Sequence, residues 1–148
     1  MKNWGIALSC LLLALADVAP AQTMKAMSEA EVKAAGGRQF QGAEIRQRNT
    51  GNTVYTMTLK AVSGMSAGSV FPIYHRDERV RVVRTATSKI ESNWWVDGNA
   101  YCTEQRVVNL GNQCYTQWDL QGTVYSCLQP AGDCFFSSRL VPGNPENL

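Results

Sequence analysis

Short runs of β-forming residues, separated by turn signals, recur along most of this chain. In the clearest run, Tyr55, Met57 and Leu59 alternate with smaller residues, which is the period-two pattern of a half-buried strand. Such runs lie at residues 40–46, 53–62, 70–74, 79–85, 93–96, 99–107, 113–118, 123–128 and 135–141. This regular spacing of about nine short strands predicts a mainly β domain, in which an antiparallel meander forms a small barrel or a sandwich.

One short helix is expected ahead of the clearest strands. Ser28 and Glu31 have the S-x-x-E spacing of a capping box, and Gly36 and Gly37 supply a stop signal. The pattern predicts a helix over residues 28–35, and we expect it to pack on the sheet. It is the only helix that the sequence predicts, because the hydrophobic period beyond it is close to two.

The first residues have the features of a cleavable signal peptide. Lys2 precedes an almost wholly apolar stretch over residues 4–16, and residues 19–21 form a small-x-small cleavage site. The apolar stretch is shorter than the roughly 20 residues that a membrane span needs, so we expect no transmembrane segment in the mature chain. The predicted organisation is a signal peptide over residues 1–21 and a single β-rich domain over residues 22–148, in the periplasm or secreted.

The mature chain would keep four cysteines. An even number of cysteines in an exported chain predicts two disulfides, and three pairings are possible. Their spacing contains no C-x-x-C, so we expect neither a metal site nor another cofactor. Hairpin geometry favours the pairs Cys102–Cys114 and Cys127–Cys134. The alternative pair Cys114–Cys127 would leave the other two cysteines separated by intervening strands.

The best-defined local feature is a hairpin in the middle of the chain. Asp97 and Gly98 suit the two-residue loop of a type I′ turn, which would place Trp94 opposite Tyr101. If the first disulfide forms, Tyr101 would in turn lie opposite Tyr115. These three aromatic residues are therefore expected to form one row across three strands on the core face of the sheet.

Sequence motifs for catalysis are weak. Residues 64–68 match the G-x-S-x-G nucleophile elbow, but a strand rather than a helix is expected to follow, so we interpret the segment as a flexible loop. His75, the only histidine, lies in a polar turn, where we expect it to be solvated. Asp77 and Glu78 are adjacent and would point to opposite faces of a strand. We therefore expect no catalytic residues, and a protein that is not an enzyme.

Arginines alternate with valines over residues 79–84. Arg79 and Arg81 would share one strand face, and a bulge at residues 82–83 would return Arg84 to that face. Such a stripe can bind sulfate, phosphate or carboxylate groups, although a solvated edge strand gives the same pattern. Trp95 would point away from the aromatic row, either covered by the helix or exposed as a contact residue. The net charge of +2 is too small to indicate nucleic-acid binding.

Several segments in the C-terminal half carry a resemblance to a known family. They are W-x-V-x-G at residues 94–98, Cys102, Cys114-Tyr115, and the closing P-G-N-P-E-N-L at residues 142–148. In these segments the chain resembles small exported proteobacterial proteins grouped as domain-of-unknown-function family 995. The resemblance implies a periplasmic or secreted β-rich domain and supports the pair Cys102–Cys114. It brings no catalytic residues.

Two functions are compatible with these features. The first is that of an exported, non-catalytic envelope protein that binds an anionic glycan, a lipid headgroup or a protein partner through Arg79, Arg81, Arg84 and Trp95. The alternative is a small carrier of apolar ligands with a lipocalin-like barrel. In that alternative, the residues expected to line the interior are Tyr55, Met57, Leu59, Trp94 and Tyr101.

Overall fold

The structure, a computed structural model, describes residues 25–62, 64–106 and 111–148. The predicted signal peptide over residues 1–21 lies outside the described residues. Within the described residues, the elements in chain order are α1 (Glu29–Ala34), β1 (Arg38–Gln39), α2 (Gly42–Asn49), β2 (Asn52–Thr58), β3 (Val70–His75), β4 (Val80–Arg84), β5 (Lys89–Asp97), β6 (Ala100–Glu104), β7 (Asn112–Leu120), β8 (Thr123–Leu128) and β9 (Cys134–Pro142).

The strands from β2 to β9 form a closed antiparallel barrel of eight strands. Each strand pairs with the next one in the chain, and β9 returns to pair with β2 over seven consecutive residue pairs, from Asn52↔Pro142 to Thr58↔Phe136. The two-residue strand β1 adds to the edge of β7 beyond the end of β6. The prediction of a mainly β meander is confirmed, and this closure makes the fold a barrel rather than a sandwich.

The helix α1 lies on the outside of the barrel. Its capping box is present as predicted: the Glu31 backbone N–H donates to Ser28 Oγ at 3.2 Å, and the Glu31 carboxylate accepts from the Ser28 backbone N–H at 2.7 Å. Val32 is completely buried in an outer apolar cluster with Leu59, Trp118 and other residues of the sheet. The predicted helix is therefore confirmed, and it packs on the sheet.

The helix α2 corrects the prediction of a strand over residues 40–46. Its first turn is closed by Glu44, whose carboxylate accepts from the Gln41 backbone N–H at 2.7 Å. Ile45 and Asn49 lie four residues apart, on one helical face, and both are buried. This face covers the end of the barrel at which β2 begins and β5 ends. Tertiary burial of a helical face thus outweighs the weak period-two pattern of the segment.

The hairpin between β5 and β6 forms with a turn one residue later than predicted. Asp97 pairs with Ala100, so that Gly98 and Asn99 are the loop residues. Gly98 has a φ of +57° and Asn99 does not have a positive φ, as a type II′ turn requires. Trp94 therefore pairs with Thr103 instead of facing Tyr101 directly.

The aromatic row nevertheless exists. Trp94 and Tyr101 remain on the same face as diagonal neighbours, with stacked rings whose centroids are 5.6 Å apart. Tyr101 pairs with Tyr115 as predicted. All three side chains are buried in an inner apolar cluster together with Ile45 of α2. The row therefore forms much of the barrel's packed interior.

Both predicted disulfides are present, Cys102–Cys114 and Cys127–Cys134. The first links β6 to β7 and the second links β8 to β9, so that each joins two directly paired strands. The alternative pair Cys114–Cys127 is thereby excluded.

Candidate ligand site inside the barrel

The arginine stripe predicted on β4 does not form. The strand pairs without interruption with β3 and β5, so the bulge expected at residues 82–83 is absent and alternate side chains point to opposite faces. Arg81 points into the barrel and is 3% exposed. Arg84 lies on the other face, where its guanidinium binds the Glu146 carboxylate at 2.8 Å, and Arg79 is exposed just before the strand. The three arginines therefore do not form one binding surface.

Trp95 lies on the outer face of β5. It is half-buried, and it pairs across the sheet with Cys102, beside the first disulfide. The cluster that α1 covers consists of residues of β7, β8 and β9 and of Leu59, and Trp95 is not among them. Its role as a binding residue stays a prediction.

The interior face of β2 is the opposite of the one predicted for a carrier. Val54 and Thr56 face inwards, whereas Tyr55 and Met57 lie on the outer face. Tyr55 donates a hydrogen bond to Glu146 at 2.5 Å, and Met57 packs against the outer apolar cluster beneath α1. The outer face can partly bury these larger side chains because α1 and the C-terminal residues cover parts of it.

The barrel interior contains a cavity of about 50 Å³. By the ~10–15 Å³ that each ordered water needs, this volume holds about four water molecules or a small organic group. Four of the lining side chains are apolar, those of Val54, Phe71, Ile73 and Phe136, and the hydroxyls of Thr56, Ser126 and Ser138 lie among them. The remaining lining residues have polar groups: Asn49, His75, Arg81, Tyr101, Gln105, Tyr115 and Gln117.

Arg81 is the only arginine or lysine among the residues that line this cavity. Its Nε donates to Ser92 Oγ at 3.0 Å, its Nη1 to the Tyr101 hydroxyl at 3.2 Å, and its Nη2 to the Glu104 backbone carbonyl at 3.0 Å. These acceptors are neutral. Among the described residues, no carboxylate lies within ion-pair distance of Arg81, whereas burial of a charge ordinarily requires a partner of opposite charge.

His75 lies beside Arg81, with which it pairs across β3 and β4. It is 2% exposed, which corrects the expectation of a solvated loop histidine. Its Nε2 is 3.0 Å from the Tyr101 hydroxyl. Burial, the charge of Arg81 and then that of Arg48 hold the pKa of His75 well below its ordinary value, while a backbone interaction with Asn52 opposes them. The ring is therefore neutral at pH 7.

The hydrogen-bond directions in this group follow from the charges. Arg81 Nη1 can only donate, so the Tyr101 oxygen accepts from it and the Tyr101 hydroxyl is free to donate to Nε2 of the neutral His75. These contacts join the side chains of His75, Tyr101 and Arg81 on the cavity wall and hold the Arg81 guanidinium in one orientation.

Arg48 adds a second positive charge near the end that α2 covers. Burial lowers its pKa to about 10, and the carboxylate of Asp119 opposes this change. The guanidinium remains charged at neutral pH, and its Nη1 donates to Asn49 Oδ1 at 3.0 Å. The electrostatic potential at this end of the interior is therefore positive.

Two amide side chains on the cavity wall have atoms without hydrogen-bond partners. Asn49 is 1% exposed and its Nδ2 is unpaired, and Gln117 is 5% exposed and its Oε1 is unpaired. The Gln117 Nε2 reaches the Ser126 hydroxyl only at 3.5 Å. Buried polar atoms in folded proteins nearly always have a partner, so these two atoms indicate a site for water or a ligand.

Other features of the described residues do not indicate a site of this kind. Residues 64–68 form part of the loop between β2 and β3, with strand rather than helix after them, in agreement with the interpretation of a loop. The described residues contain no group of three or more His, Cys, Asp or Glu side chains that could hold a metal ion. No helix among the described residues is long and apolar enough to cross a membrane.

Comparison of the chain with protein-family models, with curated proteins and with solved structures gives no match. The site must therefore be interpreted from its own chemistry.

The sequence pattern indicated Arg81 as a binding residue but not the residues that surround it. A signal for His75 existed, because extending β3 by one residue places it on the same face as Phe71 and Ile73. No comparable signal existed for Asn49, whose burial depends on the unpredicted helix α2.

Proposed function

We propose that this protein is a non-catalytic binding protein that holds a small ligand inside its barrel. The observation that carries this proposal is the cavity inside the barrel, on whose wall two buried amide atoms lack partners and a buried guanidinium lacks a counter-ion. A packed core would have filled this space with apolar side chains, since buried unsatisfied polar groups cost about 1–3 kcal/mol each. A ligand inside the barrel would supply the missing partners.

The closed barrel is compatible with a lipocalin-like carrier, as the sequence alternative suggested. The size and polarity of the cavity favour a ligand of a few heavy atoms over a long apolar chain, because a cavity of about 50 Å³ cannot hold such a chain. The proposed ligand is thus smaller and more polar than the one expected from the sequence.

The surface hypothesis has less support. An anionic glycan, lipid headgroup or protein bound along Arg79, Arg81 and Arg84 would need the three side chains on one face, and the register of β4 separates them. Arg84 already has Glu146 as its partner. Binding of an external partner through Arg79 or Trp95 stays a prediction that substitution of these two residues would test.

The proposed setting is the periplasm or the extracellular space. Two disulfides are typical of proteins in oxidising compartments, and their presence supports export. We also propose that the chain belongs to domain-of-unknown-function family 995. The support is its resemblance in the C-terminal segments named above, which include Cys102 and Cys114.

Ligand screening by NMR tests the proposed function. We expect some compounds from a library of small polar molecules to shift the Trp94 indole and His75 ring signals saturably. Ser126→Leu, which fills the cavity from β8, should abolish these shifts. Thr123→Leu, on the outside of the same strand, should preserve them. Failure of every compound to bind the wild-type protein would contradict the proposal, as would unchanged binding by a folded Ser126→Leu variant.

A further inference from the structure

We infer that the cavity binds a short-chain monocarboxylate, with its carboxylate on the Arg81 guanidinium and its alkyl group against the apolar wall. This inference rests on the proposed function and names the chemical class of the ligand. It depends on three properties of the cavity: its charge, its free hydrogen-bonding capacity and the presence of both polar and apolar side chains on its wall.

The charge of the cavity wall favours an anion. Arg81 is positively charged and almost completely buried, and its three hydrogen-bond acceptors carry no charge. By contrast, Arg38 and Arg84 form ion pairs with carboxylates near the surface. Charge–charge attraction is strongest where water is excluded, so the unpaired guanidinium is the strongest attractor for an anion inside the barrel.

The guanidinium also has hydrogen-bonding capacity left for that anion. It carries five N–H groups, of which the described contacts use three, one on each nitrogen. One N–H on Nη1 and one on Nη2 therefore remain. Guanidinium groups bind carboxylates through such paired donors, and the Tyr101 and Ser92 contacts hold this one in place.

The amides can complete the site. The unpaired Nδ2 of Asn49 is a donor, as a carboxylate oxygen requires. The Gln117 amide can also present a donor, because the Ser126 hydroxyl can pair with either end of the amide. The unpaired Asn49 Nδ2 and the two remaining N–H groups of Arg81 are thus donors available to a ligand.

The apolar lining residues limit the rest of the ligand. Phe71 and Phe136 meet edge to face with their ring centroids 6.4 Å apart, and Val54 and Ile73 continue this surface inside the barrel. Such a surface favours a hydrocarbon group over the second and third charged oxygens of a phosphate. The volume limits that group to a few carbons, which leads us to propionate as a probe.

The decisive experiment compares propionate with propionamide, its neutral isostere, at constant ionic strength. We expect saturable NMR shifts of the Trp94 and His75 signals with sodium propionate. Propionamide should bind at least about tenfold more weakly, in line with the strength of charge-assisted hydrogen bonds. Sodium chloride and sodium phosphate at the same ionic strength should not displace propionate.

Variants place the anion at Arg81. Arg81→Gln should weaken propionate binding about tenfold or more, the loss typical of one hydrogen-bonded charge. Arg79→Gln, which removes an exposed arginine two residues away, should change the affinity less than about twofold, as expected for an exposed charge. If Arg81→Gln does not fold, Ser138→Leu provides the second test, since it fills the same cavity without changing a charge and should abolish binding.

The outcomes separate this inference from the proposed function. Equal binding of propionate and propionamide, or full binding by a folded Arg81→Gln variant, would overturn the carboxylate assignment and leave a ligand-binding barrel. Displacement by phosphate or chloride would likewise overturn the preference for a carboxylate. Absence of propionate binding, with another small molecule bound in the cavity, would overturn this inference alone. Absence of binding by every compound would overturn both.

Discussion

The Tyr101 hydroxyl accepts a hydrogen bond from Arg81 Nη1 at 3.2 Å and lies 3.0 Å from Nε2 of His75. One oxygen on β6 thus joins a buried charge on β4 to a buried neutral ring on β3. The three side chains come from segments up to 26 residues apart in the chain, and closure of the barrel brings them together.

Removing this oxygen should destabilise the fold. Tyr101→Phe keeps the stacked ring but leaves the Arg81 Nη1 and the His75 Nε2 without their partner. We expect a loss of about 1–3 kcal/mol in the free energy of unfolding. Urea denaturation followed by tryptophan fluorescence measures it. Tyr74→Phe, on the outer face of β3, is the matched control and should cost less than about 0.5 kcal/mol. Equal losses for the two variants would contradict a special role for the Tyr101 hydroxyl.

His75 should make stability depend on pH between 5 and 7. Its pKa is lowered in the folded state from an ordinary value of 6.5, so below that pH the unfolded chain binds a proton that the folded chain does not. Stability is therefore complete above about pH 6.5 and falls by up to about 1.4 kcal/mol per pH unit below it. Urea midpoints measured at intervals from pH 7.5 to 5 test this expectation.

The carboxyl groups do not obscure this window. Hydrogen bonds to Ser28 lower the pKa of Glu31, and hydrogen bonds from Asn93 lower that of Glu104. A lowered carboxyl pKa gives stability that is lost only as pH falls below the ordinary value of 4.5. His75 is the only histidine, so His75→Gln should flatten the profile between pH 5 and 7. A flat wild-type profile there would show that the imidazole is not buried as described.

Gly42 should tolerate no side chain. A Cβ at this position would lie 2.3 Å from the Gly98 carbonyl oxygen, because α2 meets the β5–β6 turn at this point. Gly42→Ala forces the helix away from the barrel end and should destabilise the protein by about 1–3 kcal/mol. Ala43→Ser, at the exposed neighbouring position, should change stability by less than about 0.5 kcal/mol. Thermal unfolding of the two variants distinguishes this steric contact from a general sensitivity of α2.

The disulfides should contribute separately to stability. Their sequence separations are 12 for Cys102–Cys114 and 7 for Cys127–Cys134. In the chain-entropy model, loops of these lengths stabilise the folded state by about 2–3 kcal/mol each. Replacing each pair by alanines and measuring urea denaturation tests both values. Full stability of either double variant would mean that its unfolded state is not constrained by the crosslink.

Local chemistry in the sequence determined much of the framework. Alternation and turn residues predicted most of the strands, and the S-x-x-E spacing predicted α1. The symmetric placement of the cysteines indicated both disulfides and the pairing of Tyr101 with Tyr115. These features depend on neighbouring residues or on hairpins, in which the partners are close in sequence, so local rules suffice for them.

The tertiary structure decided which face of each strand points inwards. Alternation on β2 defined two faces, but only closure of the barrel placed Val54 and Thr56 inside and Tyr55 outside. The same uninterrupted register separated Arg81 from Arg84. Burial of Ile45 at the barrel end likewise selected helix over strand for α2.

The candidate site shows the same division. The sequence alone contained Arg81, His75 and the aromatic row. Each of them could be explained within its own strand or turn, without a shared cavity. Their meeting around one cavity depends on strand pairings between distant parts of the chain and on closure of β9 against β2. Period-two patterns are symmetric between the two faces of a sheet, and only the burial of one face inside a closed barrel removes that symmetry.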